Sequence, residues 1–425
     1  MEDVDQSLQD NQLHPDEALS AREAASFLRV KLPTLYAYAS RGLVRSVPGG
    51  RGRARRYLRA DLERLRARRD ARAGHGPVAA GALRFGEPVL DSAITAISPE
   101  HGPVYRGARA VELAARDAPF EAVAELLWTG RLPDAPPAWI AHDFPMPVAA
   151  LRRLLPDDLP PLQALAALLP VLASWDPGRF AARPAAVLPR ARSLIRRLAT
   201  ALALGLDKPS FQASFAGESV AEAVCVALGG RSDAAAVAAV NRSLVLCADH
   251  ELNASAFAAR VAASTGADVY ACVSAALAAL SGPRHGGATS RVEALVGEIG
   301  RPEDAERVVN ERASRGEPVE GFGHPLYPHG DPRGRALVAL ARDCAPEASG
   351  VRVCLALVDA MARGGRGGAT IDVGLVALAA ALGMRPGAAL GIFAVARCAG
   401  WVAHALEQYE AGYLVRPRAR YLERG

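Results

Sequence analysis

SGPRHGGATSRVEALV (Ser281–Val296) sets a proline and two glycines around His285 and then turns into a helical pattern that runs from Thr289 to Ile299. Proline and glycine punctuate regular structure, while apolar residues three and four apart mark the buried stripe of a helix. A side chain at such a junction projects into a cleft instead of a core. A helix N-terminus carries roughly half a positive charge, which disfavours imidazolium, so a histidine there is expected to be neutral and able to donate to a developing anion. Two further segments repeat the arrangement: CADHELNASAFAARVAAST (Cys247–Thr265), with His250, and GFGHPLYPHGDPRGRAL (Gly321–Leu337), with His324 and His329. Five of the nine histidines lie beyond residue 245, so the chemistry is expected in the C-terminal part.

Around these segments the chain is 425 residues long and half apolar, which is enough for a large core and excludes a disordered or fibrous protein. Aromatic residues make up 5% and isoleucine occurs seven times, against long Ala/Leu runs. Strands select aromatic and β-branched side chains, so an all-α fold is expected. From Glu87 onward helical patterns alternate with Gly, Pro and Asp, and residues 160–245 read as packed helices without a chemical cluster. The longest uncharged stretch, Leu159–Trp175, is 17 residues with three prolines. A span needs ~20 apolar residues, so no membrane helix is expected. The first twenty residues carry six acids and no Lys or Arg, the reverse of a signal peptide, and a cytoplasmic location is expected. Six widely spaced cysteines in apolar surroundings read as reduced core residues.

The expected organisation is an acidic tail (1–15), a small domain (16–72), a Gly/Ala linker (73–86) and a large region (87–425). In the small domain, LSAREAASFLRVKLPTLYAYASRGLV (Leu19–Val44) reads as two short helices, with Pro33 in the first turn of the second. SVPGGRGRARRYL follows as a turn with short extended arms, and then a third helix over Ala60–Arg69. Residues 41–72 hold twelve arginines against three acids. This arrangement resembles the winged helix-turn-helix modules of the MerR and excisionase type. The resemblance implies DNA contact through Thr34 and Tyr36 on the second helix and through Arg51, Arg53, Arg55 and Arg56 on the wing, where arginines supply affinity through phosphates. A solvated basic domain that docks on protein is the other reading. Arg29 stands where the turn usually has glycine.

Near the C-terminus, GGRGGATIDVGLVALAAALGM (Gly364–Met384) is a glycine-rich loop leading into an apolar helix with Asp372 at its start. Asp372 is either an N-cap or a partly desolvated carboxylate acting as a base. His324 and His329, five apart in a Pro/Gly segment, do not make a metal motif, and no metal is expected.

ADHELNAS, GPRHGGA, GFGH with DPR, the Asp372 segment, ARCAGWVAHALEQ (Ala396–Gln408) and LVRPRARYL (Leu414–Leu422) stand in the order and spacing of the citrate synthase family, which this chain resembles over nearly everything after the linker. The resemblance implies a large and a small helical domain, the small one at about 284–382, closing over the substrates. It implies that acetyl-CoA condenses with oxaloacetate to give citrate and CoA. Asp372 would remove the methyl proton, His285 would stabilise the enol, and His324 would hydrogen-bond the oxaloacetate carbonyl. His250, Arg333, Arg397 and Arg416 would bind oxaloacetate, Arg416 reaching in from the partner subunit of a homodimer. Arginine suits this task because its planar fork pairs bidentately with carboxylates. CoA contacts fall on Arg284, Gly321, Phe322 and Gly323. CoA enters as a substrate, and no tightly bound cofactor is expected.

Some positions depart from the family's commonest sequence. Arg284 replaces a common Leu, and either meets CoA phosphates or depresses the pKa of His285 further. Pro325 stands where Arg or Ala is frequent, Pro328 where a basic residue often approaches CoA, and GAT precedes the aspartate where an Asn is often close by. Every acid, base and carboxylate clamp is nonetheless present, so an active enzyme is expected. Its alternatives are a 2-methylcitrate synthase using propionyl-CoA, and a metabolite-sensing DNA-binding regulator with a synthase-like ligand domain.

Overall fold

The computed structural model describes residues 18–28, 30–41, 43–48, 55–59, 61–63, 65, 90–135, 138–139, 144, 148–205 and 208–417. These fall into two compact units, one within residues 1–91 together with the chain end from Arg416, the other Ser92–Val415.

The first unit contains β1 (Ala18–Ser20), α1 (Ala21–Phe27), α2 (Leu32–Ser40), β2 (Ser46–Pro48) and β3 (Arg55–Leu58), with antiparallel strand order β1-β3-β2. Ser20 opens α1 reciprocally: its hydroxyl accepts from the Glu23 N–H while the Glu23 carboxylate accepts from the Ser20 N–H. Pro33 lies in the first turn of α2, as its spacing predicts. Ala24, Leu28, Leu35, Val44, Tyr57 and Leu62 close into a core of their own. Arg45 donates to the buried Asp61 from its backbone N–H, Nε and Nη2, so this arginine ties the wing root to the third helix. Residues 61–63 of that helix are described and helical. The acidic tail, the linker, Arg29, Arg51 and Arg53 lie outside the described residues.

The second unit starts with an antiparallel meander of β4 (Thr95–Ser98), β5 (Gly102–Tyr105) and β6 (Ala108–Arg109). Its helices are α3 (Ala110–Ala115), α4 (Phe120–Thr129), α5 (Val148–Arg152), α6 (Pro161–Ser174), α7 (Pro184–Ala201), α8 (Lys208–Ala213), α9 (Val220–Ala227), α10 (Ala234–Cys247), α11 (Ala254–Ser264), α12 (Val269–Leu280), α13 (Gly287–Ile299), α14 (Ala305–Ser314), α15 (Pro332–Cys344), α16 (Ser349–Arg363), α17 (Ile371–Ala381) and α18 (Ala388–Ala411). The all-α expectation describes the bulk of the chain. It missed the meander, whose strands of two to four residues are too short to display a period-two alternation.

A continuous apolar core runs through this unit, and α18 is buried along nearly all of its 24 residues. Among the described residues it is the one helix long and apolar enough to cross a membrane, but its side chains face the core and include the buried Arg397 and His404. A smaller separate cluster (Leu295, Ile299, Val308, Val309, Leu357, Met361) joins α13, α14 and α16. All six cysteines are free, and five are buried, as expected for core residues.

Candidate active site

His250 follows the end of α10, where the last carbonyls of a helix lack intrahelical donors. Two distant side chains supply them. The Tyr105 hydroxyl donates to the Val245 carbonyl at 3.0 Å, and Arg397 Nε donates to the Cys247 carbonyl at 2.7 Å. The chain then turns through Glu251, which has φ +54°. α18 passes this turn at Gly400, where a Cβ would lie 2.2 Å from Asp249 Oδ1, so the glycine of ARCAGW is what lets the two segments meet. His250 Nε2 stands 2.7 Å from the Tyr327 hydroxyl. Burial first, then the cations Arg333 and Arg397, hold its pKa well below the ordinary value, so the imidazole is neutral.

His324 lies 5.7 Å from His250 and 5.0 Å from Tyr327, ring centre to ring centre. Its Nδ1 accepts the Leu326 N–H at 3.1 Å, so in the neutral ring the proton sits on Nε2, available for donation. Burial and then Arg333 lower its pKa as well. The loop carrying it is laced to the loop before α17: Gly323 N–H donates to the Gly368 carbonyl at 3.0 Å and Thr370 N–H to the Gly321 carbonyl at 2.8 Å. Gly321 has φ +85°, and Val292 and Val373 fill the space a Cβ would need.

Arg333 donates to both oxygens of Asp331, which also caps α15 and accepts the Ile371 N–H at 3.3 Å. One buried carboxylate thereby fastens the start of α15 to the start of α17. Asp372 is the second residue of α17 and does not cap it. Thr370 does, accepting the Asp372 N–H, because a cap must precede the first helical residue. The Asp372 carboxylate accepts a hydroxyl proton on each oxygen, from Thr289 on Oδ1 at 2.6 Å and from Thr370 on Oδ2 at 2.9 Å.

His285 precedes α13, with Nε2 at 2.8 Å from Ser255 Oγ and its ring edge-on to Phe393. Ser255 Oγ accepts from Trp401 Nε1 at 3.0 Å. The His285 pKa is lowered to about 4. The sequence pointed to the helix N-terminus, with Arg284 as either a further cause or a CoA contact; in the structure burial leads, the cation that follows is Arg397, and Arg284 is exposed.

The arrangement offers two buried guanidinium cations, three neutral imidazoles and a carboxylate held at both oxygens. It is suited to fixing carboxylates, donating to a carbonyl oxygen and accepting a proton from carbon. Phe322 packs against both apolar clusters, whereas Gly323 is exposed. Arg416 is exposed beyond α18. In the first unit Tyr36 is 50% exposed on α2 and Thr34 half-buried. Arg55 is exposed and donates to the Ser46 carbonyl, while Arg56 is half-buried and acts electrostatically on Glu23. Sequence reasoning missed Tyr327, Ser255, Trp401, Asp331 and Thr289. The available signal was that each lies inside a segment singled out for another residue: Asp331 and Tyr327 with His324, Ser255 with His250, Trp401 with Arg397 and Thr289 with His285.

The family profile described as "Citrate synthase, C-terminal domain" matches residues 84–418, and a "Helix-turn-helix domain" profile matches residues 18–70. "Citrate synthase 2" of Bacillus subtilis (strain 168) is 39% identical over 188 residues, 44% of this chain and 50% of that protein. The chain thus matches about half the length of this relative. A "2-methylcitrate synthase" of Mycobacterium tuberculosis is 31% identical over 351 residues, 79% of this chain and 88% of that one. Among solved structures, a ternary complex of carboxymethyl coenzyme A and oxaloacetate with citrate synthase from Thermoplasma acidophilum is similar with a TM-score of 0.69 and 25% identity. It covers 79% of this chain and 94% of its own.

Proposed function

The chain belongs to the citrate synthase family, and on that premise we propose that it condenses acetyl-CoA with oxaloacetate. Asp372 takes a proton from the thioester methyl group; the C–H electron pair becomes the enol(ate) double bond, and His285 meets the thioester oxygen. The enol carbon attacks the keto carbon of oxaloacetate, held by His250, Arg333, Arg397 and Arg416 of the partner subunit, while His324 Nε2–H meets the carbonyl oxygen that becomes the alkoxide. Water then cleaves the citryl thioester, giving citrate and CoA. Each step uses acid–base groups of the chain, and no bound cofactor is required.

The observation that carries this reading is that His285 and Asp372 stand at the N-terminal ends of α13 and α17, joined there by the Thr289–Asp372 hydrogen bond. A base and a donor set at adjacent helix ends are what abstraction of a weakly acidic proton needs, and a well-placed donor is worth ~3–4 kcal/mol. The segment 284–382 is the proposed small domain, supported by the separate apolar cluster on α13, α14 and α16. Oxaloacetate-dependent release of thiol from acetyl-CoA tests the proposal. Propionyl-CoA, run beside it, tests the 2-methylcitrate alternative that the mycobacterial relative suggests, and the ratio of kcat/KM values names the acyl chain.

A second reading concerns the first unit. The helix-turn-helix profile and the exposed Tyr36 on α2 favour duplex DNA as a ligand, and a homodimer would carry two such readers. Ligand-responsive operator binding without CoA release would make the chain a regulator.

A further inference from the structure

We propose that Thr289 and Thr370 form a hydroxyl clamp that aims the Asp372 carboxylate and follows its change of charge during proton transfer. The inference rests on the reading of Asp372 as the base and adds two positioning residues to it.

Thr289 is fully buried and Thr370 is 7% exposed. Each gives its hydroxyl proton to a different oxygen of the same carboxylate, at 2.6 and 2.9 Å. The terminal torsion of an aspartate is soft and twofold, so one donor on each oxygen, from two different elements, fixes the plane of the carboxylate. Each oxygen retains lone-pair capacity for an incoming proton. Among the described residues, the hydrogen bonds to this side chain come from hydroxyls and none from Arg, Lys or His. Asp372 acts electrostatically on His324 and on Cys247, and the Asp331–Arg333 pair reaches the same helix start through the Ile371 N–H.

The choice of hydroxyls has a chemical consequence. A guanidinium or ammonium is a donor only, and it opposes protonation of the carboxylate it serves. A hydroxyl donates to a carboxylate and, after rotation about Cβ–Oγ, accepts from a carboxylic acid. When the methyl C–H bond breaks and its proton arrives on Asp372, the electron pair staying with the enolate, one threonine can reverse its bond. Thr289 has somewhere to send its own proton, because a threonine hydroxyl inside a helix reaches the carbonyl one turn back. The base therefore keeps its partners in both charge states.

Thr289 gives the cleaner test, since Thr370 also caps α17. Steady-state kinetics of CoA release would be measured for wild type, Thr289→Val and Thr289→Ser, with acetyl-CoA and its methyl-deuterated form. Thr289→Val is expected to lower kcat about tenfold, with both KM values within about twofold of wild type. It should also enlarge the deuterium isotope effect on kcat, because the base is no longer aimed at the proton it takes. Thr289→Ser should restore most of each quantity, which a packing role would not produce. If Thr289→Val does not fold, Thr370→Ala against Thr370→Ser is read in the same way. An active wild type whose Thr289→Val variant keeps kcat and the isotope effect overturns the clamp alone. A wild type that releases no CoA overturns the reading of Asp372 and the clamp with it.

Discussion

Arg333 donates from Nε and Nη2 to the two oxygens of Asp331, at 3.0 and 2.8 Å, with both side chains buried. An amide in place of the carboxylate keeps one oxygen to cap α15, but it removes the charge opposite a buried cation and sets a donor against Arg333 Nη2 and the Ile371 N–H, which cuts the tie to α17. Asp331→Asn is therefore expected to cost about 3–5 kcal/mol in urea unfolding and to raise the KM for oxaloacetate. An unchanged urea midpoint would contradict this.

His285, His250 and His324 all have lowered pKa values, His285 falling from 6.5 to about 4. Each is neutral in the fold and takes up a proton more readily when unfolded. Between about 6.5 and about 4 the unfolded chain binds more protons, so stability falls as pH is lowered through that window and His285 contributes nothing to the slope above it. Urea midpoints at pH 7.5, 6 and 5 should decline, and less steeply for His285→Gln. Equal slopes for the two proteins would contradict the assignment.

Arg397 is the cation that depresses His285, and its Nε is spent on the Cys247 carbonyl. Arg397→Met should raise the pKa of His285 from about 4, as followed by imidazole NMR. It should also raise the KM for oxaloacetate by roughly a hundredfold, the usual scale for losing one partner of a buried charge pair. A His285 titration that stays in place would show that burial alone sets it.

For the first unit, the full chain is expected to bind duplex DNA with an affinity that falls steeply with salt. Arg55→Ala should lower the slope of log affinity against log salt by about one, and Tyr36→Ala should weaken binding through the exposed face of α2. Salt-independent or absent binding would leave the basic surface a solvated face.

Much of this was legible because it is local. The spacing of Ala24, Leu28 and Leu35, the position of Pro33 and the helix after His285 are set by residues within one or two turns. The ordered motifs gave the candidate residues through resemblance. What stayed hidden depends on contacts across the chain. Tyr105 reaches Val245, Arg397 reaches Cys247 and Thr289 reaches Asp372, separations of 140, 150 and 83 residues that no periodicity encodes. The capping of α17 was readable in principle. Thr370 stands just outside the helix and Asp372 just inside, but the boundary between them had to be known first.

The most direct test is thiol release from acetyl-CoA, with and without oxaloacetate, for wild type and Asp372→Ala. Release that requires oxaloacetate and is lost in Asp372→Ala is the expected result. No release by wild type with acetyl-CoA or propionyl-CoA, or undiminished release by Asp372→Ala, would contradict the proposed condensation at this site.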